Sequence, residues 1–230
     1  HVTVKTDHHS LQWLKNFALF AALIFEGEFF NPDKLFLTIW GFVIFSIATS
    51  GTYLINDVID YKRDQAHPFK KTRPIPAGRI HPILAAFFGI GFLLLAIFIS
   101  STISPFFMFS VIAYALLQIA YSLTLRSFIL LDVMAIASGF LLRVFAGAVL
   151  IDAHVTVWFI LTVASLALFL AIGKRRSERT LLLGSGSTDL TTRKILQHYP
   201  ENLLDSLTVM FATSTWFSYT MFTFLQPPPF

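Results

Sequence analysis

Seven stretches of mostly apolar residues run through this chain, at 11–30, 35–55, 82–101, 105–123, 129–151, 155–173 and 203–225. Each approaches the roughly 20 helical residues that cross a hydrocarbon core about 30 Å thick. The first is the weakest, because Gln12, Lys15, Asn16 and Glu26 interrupt it. Composition agrees: 55% of the residues are hydrophobic, 13% are charged, 26 are Phe, and the mean hydropathy is +0.69. That is too apolar for an ordinary soluble domain of 230 residues, so the reading is an all-α, polytopic membrane protein forming one domain over residues 1–230. Cysteine is absent, which excludes disulfides and thiolate metal sites. No cleavable signal pattern is present, and a first residue of His rather than Met suggests a trimmed native start.

Orientation follows from the cations. With the N-terminus on the cytoplasmic side, fifteen of the seventeen lysines and arginines are cytoplasmic, Lys34 alone lies opposite, and Arg143 falls within a span. A bias of this size is the positive-inside signature. The net charge of +4 is therefore no nucleic-acid footprint; the cations line one membrane face, suited to phosphate groups or anionic lipid.

Most of the chemistry concentrates between the second and third spans. NDVIDYKRDQAHPFKKTRPIPAG, from Asn56 to Gly78, carries three carboxylates and five cations. Asp57, Asp60 and Asp64 are spaced i, i+3, i+7, which places them within about 60° on one helix face. Oxygen-only donors suit Mg²⁺, which usually sits between one or two carboxylates and the oxygens of a phosphate substrate. The plainer alternative is a solvated interfacial turn. Such a turn needs charge, but not three acids in register beside Asn56, Lys70, Lys71 and Arg73.

Two further polar groups stand out. GKRRSE, from Gly173 to Glu178, ends the sixth span; Lys174 and Glu178 are i, i+4 and share a face if the helix continues. A basic cluster there can be a topology anchor alone, but Glu178 gives it a carboxylate able to hold a metal or orient a cation. In the fifth span, Asp132 and Arg143 are eleven residues apart, about 20° of net rotation and roughly 16 Å of rise. An unpaired Arg this deep costs at least about 2.5 kcal/mol, so it is expected to face a polar cavity unless it forms a structural ion pair. Gly139 and Gly147 flank it with small residues. The histidines show no metal-ligand spacing, and His67 beside Pro68 reads as shaping a loop. Gly184 to Ser187 reads as a flexible tip.

These residues together resemble the UbiA-type intramembrane prenyltransferase superfamily, over nearly the whole chain. NDxxDxxxD at Asn56, Asp57, Asp60 and Asp64 is similar to its first aspartate-rich motif. LQWLKN at 11–16, with Lys15, and YSLTLRSFILLD at 121–132, with Tyr121, Arg126 and Asp132, fall where the superfamily has comparable segments. Arg126 stands where Lys is more usual, a planar fork in place of a point charge. Within the superfamily the likeness extends to the decaprenyl-phosphate phosphoribosyltransferase branch, through HPxKxxRPI from His67 to Ile75, GFLLRVFAGA at 139–148, and KRRSE in place of a second aspartate-rich motif.

The resemblance implies a UbiA-type helix bundle around a central cavity. It usually has nine helices, so the seven spans ending at QPPPF imply either that the last two are missing or that this is a shortened form. It also implies transfer of a 5-phosphoribosyl unit from phosphoribosyl diphosphate to a polyprenyl (decaprenyl) phosphate with release of diphosphate. In that reading Asp57, Asp60 and Asp64 hold Mg²⁺, Asp64 in a supporting place. Lys70 and Arg73 lie near the donor diphosphate, and Arg143, Lys174 and Arg175 near the 5-phosphate or the acceptor phosphate. Lys15, Asn56, Tyr121, Arg126, Asp132 and Glu178 complete the expected substrate site. The acceptor's tail stays in membrane lipid. The site faces the cytoplasm of a bacterial-type inner membrane, and the oligomeric state, a homo-oligomer included, is left open. Two other readings compete: prenyl transfer to an aromatic acceptor, which usually brings a second acid-rich motif, and transport of anionic lipids or phosphates, for which no inverted repeat is evident.

Overall fold

The computed structural model describes residues 13–65, 70–128, 130–184 and 200–225, with side chains described for all of these except residues 70 and 181–184. Leu11, Gln12, His67, Pro68, the 185–187 tip, the QPPPF end and the side chain of Lys70 thus lie outside the described residues. All regular structure among the described residues is helical: α1 (Leu14–Phe25, opening as a 3₁₀ turn), α2 (Pro32–Gln65), α3 (Pro82–Ile103), α4 (Pro105–Leu123), α5 (Leu131–Leu150), α6 (Val157–Gly184) and α7 (Glu201–Leu225).

The helix starts are written in the sequence. Pro32, Pro82 and Pro105 each occupy a first helical position, where the missing N–H costs nothing and φ is already set. Before α2, the Asn31 Oδ1 accepts from the backbone N–H groups of Asp33 and Lys34 at 3.2 and 3.4 Å. Before α3, the His81 Nδ1 accepts from the N–H of Ile83 at 3.3 Å. Both side chains satisfy donors that would otherwise be orphaned at a helix start. Ser104, ahead of Pro105, is extended, as a residue before proline prefers, and this separates α3 from α4.

Every expected apolar segment contains a helix, but the helices differ in their capacity to cross a membrane. Five of them, α2 to α6, are long and apolar enough to do so. The first segment yields the shorter α1. The last yields α7, 25 residues long but rich in Ser and Thr. Thr208, Thr215, Ser218, Thr220 and Thr223 each donate to the carbonyl four residues earlier, which satisfies their hydroxyls within the helix.

Burial runs opposite to that of a water-soluble protein. α3 is the most apolar of the long helices and the least buried. Phe87, Phe98, Phe106, Trp216 and Phe224 all stand largely exposed. Apolar surface on this scale matches acyl chains, and the chain is an integral membrane protein.

Contacts group the chain into two compact units, residues 1–122 with 142–153 and residues 123–141 with 154–230. In the first, glycines permit backbone approach. A Cβ on Gly51 of α2 would lie 2.7 Å from the carbonyl oxygen of Gly89 in α3, and one on Gly147 of α5 would lie 2.0 Å from that of Leu19 in α1. Phe45 packs with Phe107 and Tyr114, all three fully buried. In the second unit Val133, Ala171, Ile172 and Leu204 form a core covered by Ile136, Leu168, Leu207 and Phe211. Trp158 meets Phe217 and Phe159 meets Phe222, which joins the start of α6 to the C-terminal half of α7.

Candidate active site

α2 is 34 residues long, so it continues past its apolar stretch and carries the acidic motif on its final turns. Asp57, Asp60 and Asp64 are all largely buried, with side-chain exposures of 12%, 9% and 2%. Two of them converge on one atom. Arg73 Nη1 donates to Asp57 Oδ1 at 3.1 Å and to Asp64 Oδ2 at 2.9 Å. Asp60 faces Arg63, one turn along the helix, at 3.6 Å. Asn56 is partly buried beside them.

Arg73 is held by a compact turn. Its carbonyl accepts from Ala77 N–H at 2.9 Å, that of Pro74 accepts from Arg79 and Ile80, and Gly78 takes the positive φ that closes the segment. Ile75 is buried beneath. The backbone at Arg73 is therefore fixed from within, while its side chain keeps 32% of its surface exposed.

The residues present fit a hard divalent cation in part. Two oxygen donors meet on a single cationic nitrogen, and Mg²⁺ commonly takes only one or two carboxylates, completing its shell with water and phosphate. No group of three or more acids, histidines or cysteines with metal-binding geometry occurs among the described residues. The three-acid cage expected from the spacing is thus absent as a preformed unit: Arg73 draws Asp57 and Asp64 together, and Asp60 turns to Arg63.

The deep arginine of α5 belongs to a second cluster in the same unit. Arg143 is 3% exposed; its Nε donates to Asn16 Oδ1 at 2.7 Å and its Nη2 to the Tyr114 hydroxyl at 2.8 Å, with the guanidinium 4.5 Å from the Tyr114 ring centroid. Asn16 Nδ2 donates onward to Ser46 and Thr49 at 3.1 and 3.3 Å. This network joins α1, α2, α4 and α5 through polar groups, so Arg143 meets fixed hydrogen-bond partners where a polar cavity was expected. Nothing in residue spacing marked Tyr114, Ser46 or Thr49. The available signal was Asn16, a strong hydrogen-bonding side chain inside an apolar stretch.

The third cluster lies in the other unit. Arg175 is 1% exposed; its Nε and Nη2 donate to the two carboxylate oxygens of Asp132, the latter at 2.8 Å, and its Nη1 donates to Glu178 at 2.6 Å. α6 does continue through GKRRSE, yet Glu178 bonds Arg175 at i, i+3. Asp132 and Arg143, expected on one face, have separate partners. Lys174 is exposed, as is Lys15 on α1. Tyr121 at the end of α4 and Arg126 in the following 3₁₀ turn are partly buried.

The profile of the UbiA prenyltransferase family matches residues 16–179, spanning all three clusters. The chain belongs to the UbiA prenyltransferase family. It is 34% identical over 218 residues to the decaprenyl-phosphate phosphoribosyltransferase of Mycolicibacterium smegmatis, covering 93% of this chain and 67% of that protein. Against the enzyme of the same name from Corynebacterium glutamicum the identity is 31%, covering 93% and 64%. The chain thus spans about two thirds of the length of these relatives. A UbiA homologue from Archaeoglobus fulgidus, solved with GPP and Mg²⁺, superposes with a TM-score of 0.71 at 18% identity, over 92% of this chain and 76% of that one. That likeness establishes the UbiA fold, and family membership makes the chain a membrane transferase.

Proposed function

We propose that this UbiA-family chain transfers a 5-phosphoribosyl group from phosphoribosyl diphosphate to a polyprenyl phosphate, with Mg²⁺ as cofactor. The observation that carries the reading is the convergence of Asp57 and Asp64 on one cation, beside the cation-rich segment ending at Arg79. The names of the relatives support a phosphoribosyl group as the one transferred and the decaprenyl-phosphate class of acceptor. The strong bias of Lys and Arg to one side supports a site facing the cytoplasm of a bacterial-type inner membrane.

In this reaction the bond from the anomeric carbon to diphosphate breaks and its electron pair leaves with diphosphate. A bond to an oxygen of the acceptor phosphate forms in its place. That oxygen is already anionic, so no side chain has to remove a proton. Bound Mg²⁺ supplies positive charge against the departing diphosphate. Asp57 and Asp64 hold that cation, with Asp60 beside them; Lys70 and Arg73 meet the donor diphosphate. Lys174 and Arg126 each contact a substrate phosphate, and Lys15 is a further substrate contact. Arg175 and Arg143 act as positioning residues, since each spends its guanidinium on protein partners; Asp132 and Glu178 hold Arg175, while Asn56 and Tyr121 border the site.

The test is donor and acceptor choice. Purified protein supplied with phosphoribosyl diphosphate or geranyl diphosphate, and with polyprenyl phosphate or 4-hydroxybenzoate, is expected to turn over only the phosphoribosyl donor with the polyprenyl acceptor, and to stop in EDTA. Turnover of the prenyl donor with the aromatic acceptor would instead establish prenyl transfer.

A further inference from the structure

The position of Arg73 goes beyond a donor contact. A single nitrogen, Nη1, lies within 3.1 Å of one carboxylate and 2.9 Å of another, in a site where both acids are nearly buried. Two largely buried carboxylates seven residues apart on one helix repel each other, and the guanidinium offsets that repulsion. It also holds them at N–H···O distances, wider than the roughly 2.0–2.1 Å that Mg²⁺ demands of its oxygens. The two cations therefore cannot occupy the position together.

We propose that Arg73 is an internal counter-cation that exchanges with the divalent metal, leaving Asp57 and Asp64 for the diphosphate as the metal arrives. This rests on the reading that these two acids hold the metal. Three features favour exchange of the side chain over opening of the chain. The backbone of 73–80 is closed by its own hydrogen bonds, Ile75 anchors it, and about a third of the Arg73 side chain is exposed. A planar guanidinium also suits the oxygens of a diphosphate, which it can grip in bidentate fashion. Arg73 thus opposes metal binding when diphosphate is absent and supports it when diphosphate is present. The site stays charge-compensated when empty, and metal and diphosphate favour each other's binding through the same residue.

This arrangement predicts an unusual sign. Removing a cation near a diphosphate site normally weakens everything that binds there; here Arg73→Ala should tighten the binding of the metal alone. The measurement is Mn²⁺ affinity, by electron paramagnetic resonance of free Mn²⁺, for detergent-solubilised wild type, Arg73→Ala and Arg73→Lys, each with and without inorganic diphosphate. Free diphosphate is corrected for its own chelation. Loss of one charge-assisted contact corresponds to a change in affinity of at least roughly ten-fold. Arg73→Ala should therefore bind Mn²⁺ at least about ten-fold more tightly than wild type without diphosphate, and should gain less when diphosphate is added. Arg73→Lys keeps a competing charge and provides a folded comparison. It should stay near wild type for Mn²⁺ alone and lose part of the gain from diphosphate.

Unchanged or weaker Mn²⁺ binding by Arg73→Ala without diphosphate overturns the exchange while leaving the metal reading intact. If Arg73→Ala does not fold, Arg73→Lys decides, and a full wild-type gain from diphosphate in that variant overturns the exchange. Absence of Mn²⁺ binding by wild type even with diphosphate overturns both the exchange and the metal reading.

Discussion

Arg175 grips both carboxylate oxygens of Asp132 from forty-three residues away, and both side chains are 1% exposed. A buried pair of this kind is costly to break from one side, because the remaining charge loses its partner. Asp132→Leu should destabilise the protein by roughly 3–5 kcal/mol, whereas Asp132→Leu with Arg175→Met should cost much less. Thermal unfolding in detergent of both single variants and the double variant checks this. A double-variant loss equal to the sum of the two single losses would show that the two residues act independently.

Lys174 and Arg175 are neighbours with different predicted phenotypes. Lys174 is exposed at the end of the apolar part of α6, so Lys174→Ala should leave unfolding within about 0.5 kcal/mol of wild type. It should lower kcat/KM for the phosphate-bearing substrate by roughly ten- to a hundred-fold, the worth of one charge-assisted bond to phosphate. Arg175→Ala should show the reverse emphasis, with a large loss of stability. Paired stability and kinetic measurements on the two variants separate a contact with substrate from a positioning role.

Gly147 lies where α5 meets the backbone of α1. A methyl group there would sit 2.0 Å from the carbonyl oxygen of Leu19, so Gly147→Ala must push the two helices apart. A loss of at least about 1–3 kcal/mol is expected, the usual range for overpacking. Gly91, whose Cβ position is open, provides the control: Gly91→Ala should be neutral or stabilising. Comparable melting of the two variants would count against the close approach.

The Arg143 network predicts a loss from an uncharged partner. Asn16→Leu removes an acceptor from a buried guanidinium and should cost roughly 1.5–3 kcal/mol, more than the apolar gain from Leu restores. Tyr114→Phe, which keeps the ring beneath the guanidinium, should cost less. Unfolding midpoints in detergent at fixed pH give the order.

Topology can be read with single cysteines, because the chain has none of its own. Asp33 stands in the first turn of α2 and Lys71 just beyond its other end, both exposed. Cysteines at these positions should label from opposite faces of sealed membranes, with Lys71 on the cytoplasmic face. Labelling of both from one face would refute α2 as a span.

The fold was legible because its determinants are local. Apolar runs of bilayer length and the prolines at 32, 82 and 105 mark where helices lie and where three of them start, and the 105–123 segment matches α4 at both ends. The acidic face of α2 was legible for the same reason, since i, i+3, i+7 is a property of one helix. What spacing does not reveal is which neighbour a side chain meets. Arg143 finds Asn16 at a separation of 127 residues, and Arg175 finds Asp132 at 43. Arg175 and Arg143 therefore both looked available for phosphate, and each proves to be engaged by the protein. Spacing put Asp57, Asp60 and Asp64 on one face with Asp64 in a supporting place, and did not reveal that a cation from the turn beyond α2, Arg73, bonds Asp57 and Asp64.

The length of α2 sets the height at which its acids work. Its apolar part, residues 35–55, is about 31 Å long, enough to cross the hydrocarbon core, and a crossing in that register would bring Asp57 out within about one residue-pair's rise of the boundary. Asp64 follows roughly 10 Å farther out. On that register the acids would stand in the layer where lipid phosphates themselves reside. An amphiphile anchored by its tail would already present its phosphate at their level, needing neither extraction into water nor burial below the interface. A soluble sugar diphosphate would descend only as far as that layer. For the proposed reaction, the overhanging turns of one helix would act as a depth gauge, matching a water-borne reactant to a lipid-borne one at the plane they naturally share.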